Sequence, residues 1–142
     1  MKGFVPFFYF LILFIVLSCK SERKKIVATK NKDIIEFRAT NFLQSSQLTK
    51  LDSTTFNSLL HSDTLNKLTD TIKYTDKEIY ISFLTLANGC GTYTGDILFS
   101  DDTLKLKLIS TSSIVCTEEN CDRVVYRIKR HDNKKYKIIK VD

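Results

Sequence analysis

The chain is poor in the residues that catalytic motifs are made from. It has four glycines in 142 residues, and they form neither a Gly-rich phosphate loop nor the strained elbow that presents a nucleophilic serine. It has two histidines, His61 and His131, and neither has a nucleophile and an orienting acid at a recognisable spacing. It also lacks any apolar run of the roughly 20 residues that a helix needs to span a bilayer. The longest such run, "FVPFFYFLILFIVL", covers the 14 residues from Phe4 to Leu17. These absences weigh against an enzyme of a familiar motif class and against a permanent transmembrane anchor.

What is present begins with that short run. One early charge, Lys2, precedes it, so residues 1–18 have the charged start and apolar middle of a secretory signal. The run ends in "VLSC", a branched apolar residue, a variable one, a small one and a cysteine: Val16, Leu17, Ser18 and Cys19. This resembles the lipobox of bacterial lipoproteins. The resemblance implies that the Cys19 thiol receives a diacylglycerol and that residues 1–18 are then removed, leaving Cys19 as the lipidated first residue. Each buried methylene stabilises membrane residence by about 0.8 kcal/mol, and two or more chains anchor stably. The expected address is the bacterial cell envelope, at the outer membrane and facing the periplasm. Taken whole, the chain also resembles the small lipoproteins of Bacteroidetes.

Charge is uneven along the remaining 124 or so residues, which suffice for one modest core. Residues 20–38 carry seven Lys or Arg against three acids, and residues 122–142 carry eight against three, whereas residues 39–121 hold six bases and ten acids. Residues 19–32, with no apolar period, read as a lipidated cysteine and a flexible basic tether, and residues 33–142 as a single domain. Cationic residues beside anionic head groups gain about 1 kcal/mol each near the surface. The expected partner is therefore the membrane, through the lipid on Cys19, with contact to lipid or polysaccharide anions. Nucleic acid is not expected, because export is expected and because "RVVYRIKR" alternates. That alternation puts Val124, Tyr126 and Ile128 on one strand face and Arg123, Arg127 and Lys129 on the other.

The predicted fold is α+β. "IIEFRA" reads as a first strand, and apolar spacings of three to five from Leu48 to Leu68 predict short helices. Ser53 or Thr54 would cap the first and Asp63 the second. From Glu78 the period becomes two, giving five successive strands that predict an antiparallel five-stranded sheet or a barrel-like meander. "SDDT" and "HDNK" read as hairpin loops.

With Cys19 lipidated, Cys90, Cys116 and Cys121 remain, and an oxidising compartment predicts one disulfide among three possible pairings. Cys116 and Cys121 bracket the short loop "TEEN", whereas Cys90 to Cys116 would close a larger loop of the unfolded chain. A Cys3His zinc sphere from Cys90, Cys116, Cys121 and His131 is the sharper alternative. Its spacing matches no common zinc motif and the compartment opposes free thiolates, so no metal or cofactor is expected. Asp101 and Asp102, adjacent in a turn, are expected to serve the turn rather than to act as paired acids.

The stretch "NGCGTYTGDILFSDDTLKLKLISTSSIVC", residues 88–116, resembles the signature of the META domain, a small all-β domain of envelope lipoproteins. Gly89, Cys90, Tyr93, Gly95, Leu104 and Cys116 fall in the family's order, and the methionine usual before the second cysteine is absent. The resemblance implies that Cys90 pairs with Cys116 and that the sheet is barrel-like. Together these readings predict a lipid-anchored envelope protein, non-catalytic, that binds a partner or contributes to envelope integrity. The alternative is a metal-binding or hydrolytic envelope enzyme using Cys and His residues.

Overall fold

The computed structural model describes residues 31–60, 63–67 and 69–141. The expected signal, Cys19, the tether up to residue 30 and His61 lie outside the described residues. The element order is β1 (Ile34–Leu43), α1 (Ser45–Leu48), α2 (Ser53–Leu60), β2 (Thr71–Tyr74), β3 (Glu78–Asn88), β4 (Tyr93–Ser100), β5 (Thr103–Ser110), β6 (Glu119–Lys129) and β7 (Lys137–Val141). The architecture is mostly β, with two short helices.

The strands form two open sheets rather than the single five-stranded sheet or barrel-like meander that period-two patterning predicts. Sheet A has the order β1-β6-β3-β2 and is antiparallel throughout. Sheet B has the order β4-β5-β7, and its β5–β7 pair is parallel. The reason is one of partner choice. Alternation fixes which side chains face the core, but it does not fix which strand lies alongside. Here β3 pairs with β6 over eleven residues, Glu78 with Lys129 through Asn88 with Glu119, and the β4–β5 hairpin between them crosses to the second sheet.

Of the two expected hairpin loops, "SDDT" closes β4 onto β5 with Asp101 at φ 51°. "HDNK" does not make a hairpin. It carries the chain from sheet A to sheet B, and its exit is held by the Tyr74 hydroxyl, which donates to the Tyr136 carbonyl at 3.2 Å and accepts from the Tyr136 N–H at 3.1 Å.

The helical prediction holds in part: the run breaks into one turn, Ser45–Leu48, and an eight-residue helix, Ser53–Leu60, with residues 49–52 between them not helical. The cap of α2 is Asp52, not Ser53 or Thr54. Its carboxylate accepts the Thr55 N–H at 2.9 Å and the Thr55 hydroxyl at 2.6 Å, and these bonds hold its pKa below the usual carboxylate value. No helix follows Asp63 among the described residues. Instead Thr64 bridges to Ile139 and the Asp63 carbonyl accepts the Lys140 N–H, so this segment lies beside β7.

The core lies between the inner faces of the sheets. Phe37, Ile79, Ile81, Val124, Tyr126 and Ile128 of sheet A meet Ile97, Leu104, Leu106 and Ile138 of sheet B. Burying each such side chain contributes roughly 1.5–3 kcal/mol. The Phe37 ring meets Tyr126 edge-on at 5.0 Å between centroids. The Tyr126 hydroxyl donates to the Lys107 carbonyl at 2.6 Å and so ties the two sheets together. Burial, and then the Asp96 charge, push its phenol well above the ordinary tyrosine pKa. A smaller cluster, Leu48, Leu84 and Cys121 with Phe56 and Leu86, covers half of the outer face of sheet A beneath the helices.

Candidate functional site

Asn88 is the last residue of β3, and its short amide reaches both chain segments that leave this end of the molecule. Its Oδ1 accepts the N–H of Cys90 at 3.1 Å and of Cys116 at 3.3 Å, while its Nδ2 donates to the Cys116 carbonyl at 2.6 Å. The Asn88 N–H donates to the Tyr93 hydroxyl at 2.7 Å. These bonds bring Cys90 and Cys116 together as a disulfide with Cα atoms 5.8 Å apart. Of the three open pairings, this is the one formed. The braced loop then holds Ile114 and Val115 out in solvent, 66% and 82% exposed. Thr111 fixes its start by donating its N–H to the Thr92 carbonyl at 2.7 Å.

Cys121 lies apart from that pair. It is fully buried under α1 on the outer face of sheet A, and burial, then the charge of Asp122, push its thiol pKa up. It therefore packs as a small apolar side chain rather than as a nucleophile. His131 lies in the crossover between the sheets, its Nε2 3.1 Å from Asp33 Oδ1 and its ring edge-on to Phe99. The four residues of the zinc alternative are thus not brought together, and no group of three or more metal-ligating side chains occurs among the described residues. Asp102 accepts the Thr103 hydroxyl at 3.1 Å, and its carbonyl accepts the Lys137 N–H at 2.8 Å, so the pair of aspartates is engaged in the turn.

Asp122, beside the buried thiol, carries a testable cost. Burial raises its pKa. A carboxyl with a raised folded-state pKa favours the fold while protonated, below its unfolded value near 3.8, and that contribution is lost as pH rises through the folded value. Asp122→Asn is therefore expected to raise the thermal midpoint at neutral pH and to converge with the wild type in acid. Thermal melts between about pH 3 and pH 7 check this. A difference between the two proteins that does not change with pH would refute it.

The open half of the outer face of sheet A is built from cross-strand rows. One row runs Glu36, Arg127, Tyr80, Lys73 and another Arg38, Val125, Ser82, Thr71. Arg127 bridges Glu36 at 3.2 Å and Glu78 at 2.8 Å, and both carboxylates raise its pKa. Arg123 reaches Ser82 Oγ at 3.3 Å and lies over the Phe42 ring at 4.7 Å. Arg123, Tyr80, Lys73 and Glu78 line a polar groove of about 420 Å³. A second cleft of about 330 Å³ lies between α1 and α2 and is lined by Leu48, Leu51 and Phe56, with Glu119 at its side. Chemically, the first offers hydrogen bonds and charge to a polar ligand and the second an apolar seat. Sequence reading missed both. The alternating charges of β6 were visible, but their partners on β1 and β3 lie 91 and 49 residues away along the chain.

No protein-family model matches the chain, and no curated protein or solved structure matches it.

Proposed function

We propose that this is an exported lipoprotein of the bacterial cell envelope, anchored through Cys19 at the outer membrane and facing the periplasm, whose domain binds a partner rather than catalysing a reaction. The observation that best supports the reading is the Cys90–Cys116 disulfide, because such bonds form and persist outside the reducing cytoplasm. It agrees with the independent signal-like segment that ends in "VLSC". Binding is favoured by the braced loop. Two adjacent aliphatic side chains held 66% and 82% exposed on a cross-linked loop are positioned to contact a partner.

The test is Cys19→Ala in the full chain, expressed in a bacterium fed a labelled fatty acid. The wild type is expected to run as a processed, labelled species in the membrane fraction, and the variant as an unlabelled precursor. A processed and labelled variant would overturn the anchoring.

A further inference from the structure

We propose that the outward face of sheet B lies against an anionic lipid surface. Since Leu104 and Leu106 point into the core, Lys105 and Lys107 point out, and the register carries that face across the sheet. Leu98, Lys105 and Ile139 form one row, Asp96, Lys107 and Val141 form the next, and Lys137 stands beside Thr103. Leu98 is 59% exposed and Val141 37%, and all three lysines are exposed. The ion pairs among the described residues lie elsewhere, on Glu36, Arg38, Glu78 and Arg127 and between His131 and Asp33. Carboxylates border the face without an ion pair to these lysines: Asp96, which lies opposite Lys107 and accepts from Asn31 Nδ2 and the Ile97 N–H, Asp101 and Asp102 in the turn at one end, and Asp63 on the segment beside β7.

The composition selects the occupant. Lysine is depleted from protein–protein contact cores, whereas lysines interleaved with aliphatic side chains suit a membrane surface, where their stems lie on apolar ground and their ammonium groups reach head-group phosphates. The chain's point of entry agrees. Asn31 donates to Asp96 Oδ1 at 2.7 Å and to the Ile97 carbonyl at 3.0 Å, so the chain reaches the domain alongside β4, the strand that carries Leu98. Asn31 lies twelve positions after Cys19, a reach of at most roughly 40 Å when fully extended. A lipid on Cys19 therefore keeps this face within a short distance of the bilayer, and the inference rests on the anchoring reading for that proximity alone.

The test is a lysine footprint of the full chain, extracted from membranes and reconstituted into vesicles of phosphatidylcholine alone or with phosphatidylglycerol added. Acetylation of individual lysines is read by mass spectrometry. On anionic vesicles Lys105, Lys107 and Lys137 are expected to lose reactivity by about threefold or more, with recovery in high salt, while Lys73 on sheet A is unchanged. Equal labelling of the three on both vesicle types, or protection of Lys73 instead, would overturn the docking. Retention on phosphatidylcholine reports the lipid anchor separately. A chain that washes off those vesicles refutes the anchor, and protection on anionic vesicles then still decides the face.

Discussion

Gly95→Ala is expected to destabilise the protein by about 3 kcal/mol and to lower its thermal midpoint by roughly 15 °C, as overpacking of a closed core does. Gly95 lies on the inner face of β4, against the Phe37 and Tyr126 rings of sheet A. A methyl group there would run into the rings of Phe37 and Tyr126. Neither ring can give way, since they are 1% and 0% exposed and packed edge to face on each other. Tyr126 is also held by its bond to the Lys107 carbonyl, so moving its ring would leave a buried hydroxyl and a carbonyl in search of partners. Gly95 does not have a positive φ, so alanine has no backbone objection and the whole cost is steric. Gly89→Ala is the control. Its methyl would meet Asn120 Nδ2 at 3.0 Å and Glu118 Cγ and the Glu118 carbonyl oxygen at 3.2 Å, contacts in a surface loop that a shift of a few tenths of an ångström relieves, and its expected cost is about 1 kcal/mol. Chemical denaturation followed by circular dichroism separates the two. Similar midpoints for the two variants would mean that the sheets do not close on Gly95.

The same position shows what the sequence made legible and what it did not. Leu104, Leu106, Val124, Tyr126 and Ile128 are core residues, as their alternation implied, because facing in or out is decided by nearest neighbours along one strand. Pairing is decided across the chain. The β3–β6 pairing leaves no local mark, because a strand followed by a loop looks the same whether its partner comes next or after an intervening hairpin. β2 has only four residues and too short a pattern to register as a strand. "SDDT" and "HDNK" have similar turn chemistry, and what separates them is distant: Ser100 opposite Thr103 in one case, Tyr74 waiting for Tyr136 in the other. For the candidate site, the cysteines were visible but their spacing left three pairings open, and Cys90–Cys116 was implied only by the local resemblance to the META signature, since the Asn88 amide that selects Cys116 acts across 28 residues.

That selection sets up the other large effect. Replacing Cys90 and Cys116 together with serine is expected to cost about 3.5 kcal/mol, the loop-closure entropy returned to the unfolded chain when a bridge over 26 residues is removed. The loss falls on unfolding cooperativity as well as on the midpoint, because the bridge ties the start of β4 to the approach to β6 and so joins the two sheets at one end. The hydrogen bonds of Asn88 remain in the double variant and keep the two segments close, but each contributes only about 1 kcal/mol net. The expected native fold is therefore retained at lower stability, with residues 111–118 opening locally before the sheets separate. Amide hydrogen exchange reads this directly. Thr111 and Cys116, whose N–H groups are bonded in the braced loop, are expected to lose protection in the variant, while Tyr126 and Ile128 in the middle of β6 keep theirs up to the reduced global limit. Thiol counting on the unmutated protein provides the matching control. Denaturing alkylation of the domain is expected to label Cys121 alone, and native alkylation to leave it unlabelled beneath Leu48 and Leu84. Three alkylated cysteines after export would mean that the bridge does not form. The exposed Ile114 and Val115 would then lose the brace that fixes them as a contact surface, and the binding role proposed for that loop would fall with it.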